Sequence, residues 1–267
     1  MNPLTLNEIK QIELQLLKRF DGFCRQHGIR YFLSNGTLLG AVKYNGFIPW
    51  DDDVDVLVPR EDYDRLIAIF PDGDGARLVS YERDPEYLFP FAKLCDTSTV
   101  KEEGGLNNGT VLGVNMDVFP LDAWNDDLKK ARREAKQIRR QMLFLGLTKR
   151  ERADSKNRIK YMIKTVLMRH CKKKGGRHYI KRISDLCSRR AEKGARYLGC
   201  KAWCIYGERE IIPADVFEDT VEIGFEDERF PAPIGYDAYL RSLYGDYPKD
   251  PPKEKQKTHH SFTAYRL

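Results

Sequence analysis

The chain has 267 residues, of which 41% are hydrophobic and 32% are charged, and it carries a formal net charge of +6. This composition is typical of a globular protein with a charged surface, and it excludes the fibrous and intrinsically disordered classes. No apolar run approaches the roughly 20 residues of a membrane-spanning helix, and the N-terminus lacks the apolar segment and cleavage site of a signal peptide. We therefore expect the protein to stay in the cytoplasm.

The first half of the chain predicts alternating helices and strands. Thr5 and Glu8 have the spacing of a capping box, and apolar residues at helical spacing follow until Gly28. The next segments predict a strand in IRYFLS, a turn at NGT, a short helix in LLGAVKYNG, a strand in DVDVLV and a helix in EDYDRLIAIF. Two more strands are predicted in LFPFAKLCD and VLGVNMDVFPLD, on either side of the polar segment KEEGGLNNGT. We expect an α/β core with a mixed sheet over residues 1–125.

The second half of the chain is basic at first and then rich in Pro, Gly and Tyr. The segment from Lys129 to Cys204 contains 26 Lys and Arg against 5 Asp and Glu, a net charge of +21, so the rest of the chain carries −15. Helical runs in DDLKKARREAKQIRRQMLFLG, NRIKYMIKTVLMRH and HYIKRISDLCSRRAEKGARYLG predict an inserted basic helical subdomain over residues 126–204. Residues 205–267 predict a C-terminal arm that packs back on the α/β core, with one short helix near YDAYLRSLYG.

The cysteines show no paired framework, so we expect free thiols. The six cysteines lie at positions 24, 95, 171, 187, 200 and 204. A zinc site that uses Cys200 and Cys204 together with Cys187 and His178 is an alternative, but the spacing matches no common zinc module.

Four aspartates crowd into the run from Asp51 to Asp55, directly before apolar residues. On an extended strand successive side chains alternate between faces, so Asp51, Asp53 and Asp55 would share one face. Three carboxylates on one face repel one another unless they hold a cation. Oxygen ligands on a rigid strand suit Mg²⁺, or Mn²⁺, bound to the phosphates of a substrate.

Two other interpretations of the acidic run are weaker. A calcium loop needs Gly at its sixth position and Glu at its twelfth, where this chain has Val56 and Asp62. A solvated acidic loop fits poorly with the segment VDVLVP, because apolar residues alternate in register with the acids.

Further candidates surround this run. The small-residue turn SNGT precedes a helix whose N–H groups can cradle a phosphate, so Gly36 and Thr37 are phosphate-binding candidates. Asp117 is an isolated acid in an apolar strand and is the candidate for a third metal ligand. Lys93 is either a phosphate clamp or an edge-strand lysine whose ammonium group reaches solvent. A strand, a Gly-Thr turn that opens a helix and an Asp-x-Asp strand together indicate nucleotidyltransferase-like phosphoryl transfer.

The sequence resembles the LicD family of phosphocholine transferases, which is related to the fukutin-type ribitol-phosphate transferases. The similar stretches are GTLLGAVKYNGFIPWDDDVDVLVPREDYDRL, FAKLCDTSTV, MDVFPLD and YLRSLYGDYPKDPPKEKQKTHHSF. They cover the α/β core and the tail, while the basic helices match in general character. The resemblance implies a nucleotidyltransferase-like fold that transfers phosphocholine from CDP-choline to a hydroxyl of a cell-surface glycan precursor, of the teichoic acid or lipopolysaccharide type. CMP would be released.

The resemblance also implies roles for the acids. The metal ligands fall on Asp53, Asp55 and Asp117, with Asp51 beside them as a further catalytic candidate. The phosphate turn falls on Gly36 and Thr37.

The residue types favour in-line phosphoryl transfer. Mg²⁺ would bridge the diphosphate and neutralise charge on the leaving CMP. Asp117 would hold a second metal or accept the proton of the acceptor hydroxyl. Lys93 and Lys43 are candidates to stabilise the nonbridging oxygens.

A choline donor would place its quaternary ammonium against aromatic faces. The aromatic candidates on or near the similar stretches are Trp50, Tyr87, Phe89, Trp124 and Tyr244. For each of them ordinary core packing is the alternative. In the tail, His259 and His260 match the histidine-bearing end of the family, and we expect one of them to approach the active site; a solvated tail is the alternative.

The basic segment contains one helix with an apolar face. In RIKYMIKTVLMRHCKKK that face is formed by Ile159, Met162, Ile163, Val166 and Leu167. The pattern fits a helix on an anionic membrane, so we expect peripheral contact through residues 156–177 at the inner face of the membrane, near a lipid-linked glycan acceptor. The alternative is that this face packs on the core.

Other functions stay open. The donor could carry ribitol, glycerol or ethanolamine in place of choline. An RNA- or nucleotide-modifying nucleotidyltransferase would share the acids, although no RNA-binding signature is present and we expect no nucleic-acid partner. A non-catalytic scaffold would bind anionic polymer through the basic segment, but it would not need the intact acids.

Overall fold

Helix α1, Leu6–His27, begins and ends as the sequence predicts. The computed structural model describes residues 2–103, 109–155, 157–188, 194–256, 258 and 262–267. At the start of α1 the hydroxyl of Thr5 accepts a hydrogen bond from the backbone N–H of Glu8 at 3.3 Å, and the Glu8 carboxylate accepts one from the N–H of Thr5 at 2.8 Å. Gly28 ends the helix with φ of 61°. The capping box is therefore confirmed.

A mixed sheet forms the centre of the molecule. Seven strands from the described part of the chain build it: β1 (Phe32–Leu33), β2 (Asp55–Pro59), β3 (Ala76–Val79), β4 (Ala92–Asp96), β6 (Asn115–Ala123), β7 (Tyr197–Gly199) and β8 (Ile212–Pro213). The order is β1-β2-β6-β4-β3, and β7 pairs with β6 and with β8. The β2–β6 pair is parallel, while the other pairs are antiparallel.

Two smaller sheets, six further α-helices and three short 3₁₀ helices complete the described fold. Strand β5 (Thr99–Glu103) pairs with β11 (Phe262–Arg266), and β9 (Thr220–Phe225) forms a hairpin with β10 (Glu228–Pro233). The α-helices are α2 (Asn35–Tyr44), α3 (Arg60–Ile69), α4 (Leu128–Lys149), α5 (Arg158–Lys174), α6 (Gly176–Cys187) and α7 (Tyr236–Tyr244). The mixed α/β fold class is confirmed. None of the described helices combines the length and the apolar character that crossing a bilayer requires.

One apolar cluster joins the sheet to the basic helices. It contains Val56 and Phe119 of the sheet together with Ile138 of α4, Met168 of α5 and Ile183 of α6. The division of the chain near residues 125 and 204 stays a prediction about its organisation. The C-terminal arm contacts the core through β11, which pairs with β5, and through α7, which packs on α2.

The helix and strand near the acidic run differ from the sequence prediction. Helix α2 begins at Asn35, so the predicted turn is its first turn, and Asn45 ends it with φ of 53° where Gly46 was expected to do so. Asn tolerates this left-handed conformation better than most residues with a side chain. Strand β2 begins only at Asp55, so the prediction of one strand that carries Asp51, Asp53 and Asp55 is wrong. Asp51 and Asp53 lie on the irregular segment that leads into β2.

Long-range pairing accounts for two further differences. The third basic helix was predicted to continue to Gly199, but α6 ends at Cys187 and Tyr197–Gly199 forms β7 against β6. In the tail, the predicted short helix is confirmed as α7, while β11 was not predicted because its partner β5 lies far away in sequence. The prediction of free thiols is confirmed, since all six cysteines are unpaired and buried.

Candidate active site

Three charged residues meet across three neighbouring strands. Asp55 of β2 is paired in register with Asp117 of β6, and Asp117 is paired with Lys93 of β4. Residues that stand opposite each other on adjacent strands project to the same face of a sheet. The fold therefore puts both predicted acids and the predicted lysine side by side on one face.

Burial and neighbouring charge act together on Asp55. Its side chain is almost fully buried, and this burial raises the pKa of Asp55 well above its usual range. The charges of Asp53, Asp117 and Asp51 raise the pKa further, while a hydrogen bond from the side chain of Asn35 opposes the shift. Four predicted catalytic acids are thus close enough to interact, and a cation beside them would relieve the repulsion.

Helix α2 fixes the position of Asp55 from the other side. The hydroxyl of Thr37 accepts a hydrogen bond from the backbone N–H of Asp55 at 2.8 Å, which ties the first turn of α2 to the start of β2. A Cβ atom added at Gly36 would lie 2.9 Å from a carboxylate oxygen of Asp51, so glycine permits a close approach of that acid to the helix. The two predicted phosphate-turn residues therefore border the acids, and a role in phosphate binding stays a prediction.

Lys93 is an interior lysine that forms an ion pair with Asp117. Its side chain is 7% exposed, its ammonium group contacts Oδ1 of Asp117, and the same oxygen accepts a hydrogen bond from the side-chain amide of Asn115 at 2.8 Å. A snorkelling edge lysine would extend into solvent, whereas Lys93 points to the acids from a strand with neighbours on both sides. The structure thus favours the site interpretation of Lys93.

Lys43 lies away from this ion pair. Its ammonium group donates a hydrogen bond to the backbone oxygen of Tyr247 at 3.2 Å and forms an ion pair with Asp250. In this conformation Lys43 connects α2 to the C-terminal arm. Contact between Lys43 and a donor phosphate stays a prediction that would require this ion pair to open.

Glu13 of α1 is a buried acid near the candidate site that sequence reasoning missed. It is 2% exposed, and its Oε2 has no hydrogen-bond partner in the described part of the chain. Burial raises the pKa of Glu13 well above its usual range, the charge of Asp53 adds to the shift, and the charge of Lys101 opposes it. The sequence does indicate that Glu13 is buried. Glu13 lies four residues after Ile9 and four residues before Leu17, so it falls on the buried face of an amphipathic helix.

The aromatic candidates divide into two groups. Tyr87 and Trp124 have no exposed surface, and the indole N–H of Trp124 donates to the backbone oxygen of Glu210 at 2.7 Å. Neither side chain offers a face to a ligand in this conformation. Phe89 is half-buried, and the ammonium groups of Lys149 and Lys93 lie 3.0 Å and 5.0 Å from its ring centroid.

Two other candidates border the site or its rim. The hydroxyl of Tyr206 donates to that of Tyr244 at 3.1 Å, and their rings meet edge to face at 5.4 Å. Burial raises the pKa of Tyr206 to about 12, and the charge of Asp55 contributes to the shift, so this pair lies near the acids. Trp50 is half-buried and stacks edge to face on Tyr44.

The two tail histidines, His259 and His260, lie outside the described residues. Their neighbour Thr258 is described, and its hydroxyl donates to a carboxylate oxygen of Asp52 at 2.7 Å. The tail therefore reaches the acidic run at Thr258. The approach of one of the two histidines to the site stays a prediction.

The acids fit a metal that is shared with a phosphate ligand. Within the described ranges no three His, Cys, Asp or Glu side chains form a metal-binding group, either here or at the cysteines. Mg²⁺ is commonly held by one or two carboxylates together with water and phosphate oxygens, so Asp53 and Asp55 are a sufficient protein donor set. Asp51, Asp53 and Asp117 place their charges near the buried carboxyl of Asp55, and a divalent cation would offset this repulsion. Bound Mg²⁺ or Mn²⁺ stays a prediction.

The regions that match known proteins include the residues of this site. A family model described as "LicD/FKTN/FKRP, nucleotidyltransferase domain" matches residues 28–131, which include the acidic run, Lys93 and Asp117. The chain is 30% identical over 278 aligned residues to the lipopolysaccharide cholinephosphotransferase LicD of Haemophilus influenzae, with 100% of both chains covered. The ribitol 5-phosphate transferase FKRP of Homo sapiens is 46% identical over 41 residues, which are 15% of this chain and 8% of that protein. An uncharacterized protein of Rickettsia prowazekii is 41% identical over 70 residues, 26% of each chain. The resemblance seen in the sequence is confirmed.

Proposed function

This chain belongs to the LicD family, and from that premise we propose that it transfers a phospho-alcohol to a hydroxyl group of a cell-surface glycan precursor. The donor we propose is CDP-choline, and CMP is the leaving group. The observation that carries the proposal is the register that aligns Asp55, Asp117 and Lys93 on one face of the sheet. Acids that can hold a metal beside a lysine suit the transfer of a phosphoryl group from a diphosphate donor.

The relatives support the choice of phosphocholine to different degrees. The relative that aligns over the whole chain is a lipopolysaccharide cholinephosphotransferase, which favours phosphocholine and an acceptor of the lipopolysaccharide type. The ribitol 5-phosphate transferase aligns over 15% of the chain, so its substrate is a weaker guide. The general proposal is the transfer of a phospho-alcohol, and CDP-choline as the donor is a more specific proposal within it. A lipid-linked glycan is the acceptor we propose, with the enzyme in the cytoplasm.

Each charged side chain has a separate task in the proposed reaction. Asp53 and Asp55 would hold Mg²⁺, which would supply Lewis-acid chemistry to the donor when bound. Lys93 turns its ammonium group from Asp117 to a nonbridging phosphate oxygen when the donor enters. Asp117, released from the ion pair, accepts the proton of the acceptor hydroxyl. That hydroxyl oxygen forms a bond to phosphorus, and the bond between phosphorus and the CMP oxygen breaks, so CMP leaves with the electron pair.

We propose that two half-buried aromatic residues, Phe89 and Tyr244, contact the choline group. Phe89 lies 5.0 Å from the ammonium group of Lys93 and already has a cation on its ring, that of Lys149. Tyr244 lies beside Tyr206, whose pKa responds to the charge of Asp55. An aromatic face that accepts a lysine ammonium can accept a quaternary ammonium in its place. We therefore prefer Phe89 and Tyr244 to the other aromatic candidates.

The test is product analysis over a panel of CDP-alcohols. The purified protein is incubated with Mg²⁺, a lipopolysaccharide-type glycan acceptor and one of four donors: CDP-choline, CDP-ethanolamine, CDP-glycerol or CDP-ribitol. The mass of the acceptor is then measured by mass spectrometry. We expect the mass of one phosphocholine to be added from CDP-choline, and the product to be lost in Asp53→Asn. A matched control is Asp64→Asn, which changes an exposed acid on α3 that lies outside the candidate site.

The outcomes separate the general proposal from the donor. Addition of another phospho-alcohol in place of phosphocholine would keep the reaction and replace the donor. No mass added from any donor, with a folded protein, would contradict phospho-alcohol transfer to this class of acceptor.

A further inference from the structure

Helix α5 carries an apolar stripe that faces solvent. Ile159, Met162, Ile163 and Val166 are 70%, 67%, 63% and 66% exposed. The helix packs on the rest of the molecule through Met168 and Cys171, which are buried. At about 100° of rotation per residue, those two residues lie on the side of the helix opposite to the stripe. The alternative that the stripe packs on the core is therefore wrong for these four residues, and Leu167 at its margin is half-buried.

The same helix is strongly cationic. Its 17 residues include seven Lys and Arg and no Asp or Glu. Three of these cations, Lys172 to Lys174, form the last turn and are exposed. The surface thus combines an aliphatic stripe with a dense positive charge on one amphipathic helix.

We propose that α5 docks the protein on an anionic lipid bilayer, with the aliphatic stripe in the interfacial region and the lysines at the headgroups. Amphipathic helices bind bilayers through buried apolar area together with attraction to anionic lipids, and α5 offers both. The proposal concerns a surface apart from the acids, and it does not depend on which phospho-alcohol the enzyme transfers.

Two other partners fit the surface less well. A second copy of this chain seated on the stripe would bring two helices with seven cations each into contact, and like charges at short range oppose association. A nucleic acid would pair with the lysines, but it would leave four aliphatic side chains in water, since nucleic-acid contacts rely on cations, aromatic stacking and hydrogen bonds. A bilayer satisfies both the charge and the apolar area.

The test is co-sedimentation of the full chain with vesicles. One set contains phosphatidylglycerol and phosphatidylcholine, and the other contains phosphatidylcholine alone. The test variant is Ile163→Asp with Val166→Asp. The matched control is Val111→Asp with Ile234→Asp, which introduces the same two charges at positions that are 78% and 50% exposed outside the basic helices.

We expect the wild-type protein to bind the anionic vesicles at least about tenfold more tightly than the neutral ones, because each lysine near an anionic surface contributes roughly a fivefold factor. The α5 double variant should lose at least about tenfold in partition coefficient, while the control double variant stays close to the wild-type protein. Thermal unfolding shows whether both double variants are folded. Changing Lys172, Lys173 and Lys174 to Gln provides a second variant, which should weaken binding to anionic vesicles and leave the weak binding to neutral vesicles unchanged.

Several results would overturn the proposal. Binding that falls equally in both double variants would show that the stripe has no special role. Equal affinity for neutral and anionic vesicles, or no binding to either, would exclude an anionic bilayer as the partner. RNA binding without vesicle binding, or a concentration-dependent dimer that only the α5 double variant abolishes, would assign the surface to one of the other partners.

Discussion

Glu210 is a buried acid whose ionisation should make the stability of the fold depend on pH. It is 1% exposed, and its Oε2 has no hydrogen-bond partner in the described part of the chain. Burial raises the pKa of Glu210 from 4.5 to about 8, although backbone N–H groups of Tyr206 and Cys200 donate to the carboxylate and oppose the shift. Each unit of pKa difference between the folded and unfolded states corresponds to about 1.4 kcal/mol. The titration of Glu210 alone therefore changes the free energy of unfolding by on the order of 5 kcal/mol across its pH range.

The sign follows from the raised pKa in the folded state. The folded protein binds the proton more tightly than the unfolded chain does, so the contribution is fully present below the unfolded pKa of 4.5 and is lost as pH rises to about 8. Glu210→Gln stays uncharged and keeps an oxygen that can accept the two backbone hydrogen bonds. The free energy of unfolding of the variant, relative to that of the wild-type protein, should therefore rise by several kcal/mol between about pH 5 and about pH 8.

Urea unfolding at several pH values measures this difference directly. Other buried acids such as Glu13 and Asp55 titrate in both proteins, so their contributions largely cancel when the two are compared. The matched control is Glu208→Gln, since Glu208 is exposed and pairs with Arg132 and Lys136 on the surface. The reasoning is refuted if the stability difference for Glu210→Gln is constant with pH, or if Glu208→Gln shows the same pH-dependent gain.

Two further predictions concern the site itself. Lys93→Met should lower the free energy of unfolding, measured in urea, by about 3 kcal/mol, because it leaves the largely buried Asp117 without its ion pair. Adding Asp117→Asn to this variant should recover part of the loss. A loss below about 1 kcal/mol in Lys93→Met would contradict this prediction. Gly36→Ala should lower CMP release by about tenfold at nearly wild-type melting temperature, because the new Cβ would lie 2.9 Å from a movable oxygen of Asp51. Gly40→Ala should instead lower the melting temperature, since its Cβ would lie 2.4 Å from a backbone oxygen, and equal melting temperatures for the two variants would count against the distinction.

Local signals in the sequence were sufficient for helix α1. The capping box at Thr5 and Glu8 and the glycine at position 28 define α1 without any distant contact. The start of β2 was predicted too early. The alternation of acids with valines is typical of a strand, but pairing with β6 begins only at Asp55. Local alternation cannot show where a partner strand begins.

The sequence could not show how the site residues are arranged, because their arrangement depends on contacts between distant parts of the chain. The alignment of Lys93 with Asp117 depends on the register between β4 and β6, and the position of Glu13 beside Asp53 depends on how α1 packs on the sheet. The sequence identified the acids and Lys93 as candidates because charged residues in apolar strands are unusual. The ion pair between two of them emerged only from the fold. For α5 the sequence left two orientations open, and the packing of Met168 and Cys171 resolved them.

The most direct measurement of the central claim is the rate of CMP release from CDP-choline by the wild-type protein and by Asp55→Asn, with and without Mg²⁺ and with the glycan acceptor present. The acids are proposed to act through a metal on the donor, so release should require Mg²⁺ and should fall at least about a hundredfold in the folded variant. Release that proceeds without a divalent metal, or that survives in Asp55→Asn at the wild-type rate, would contradict the account.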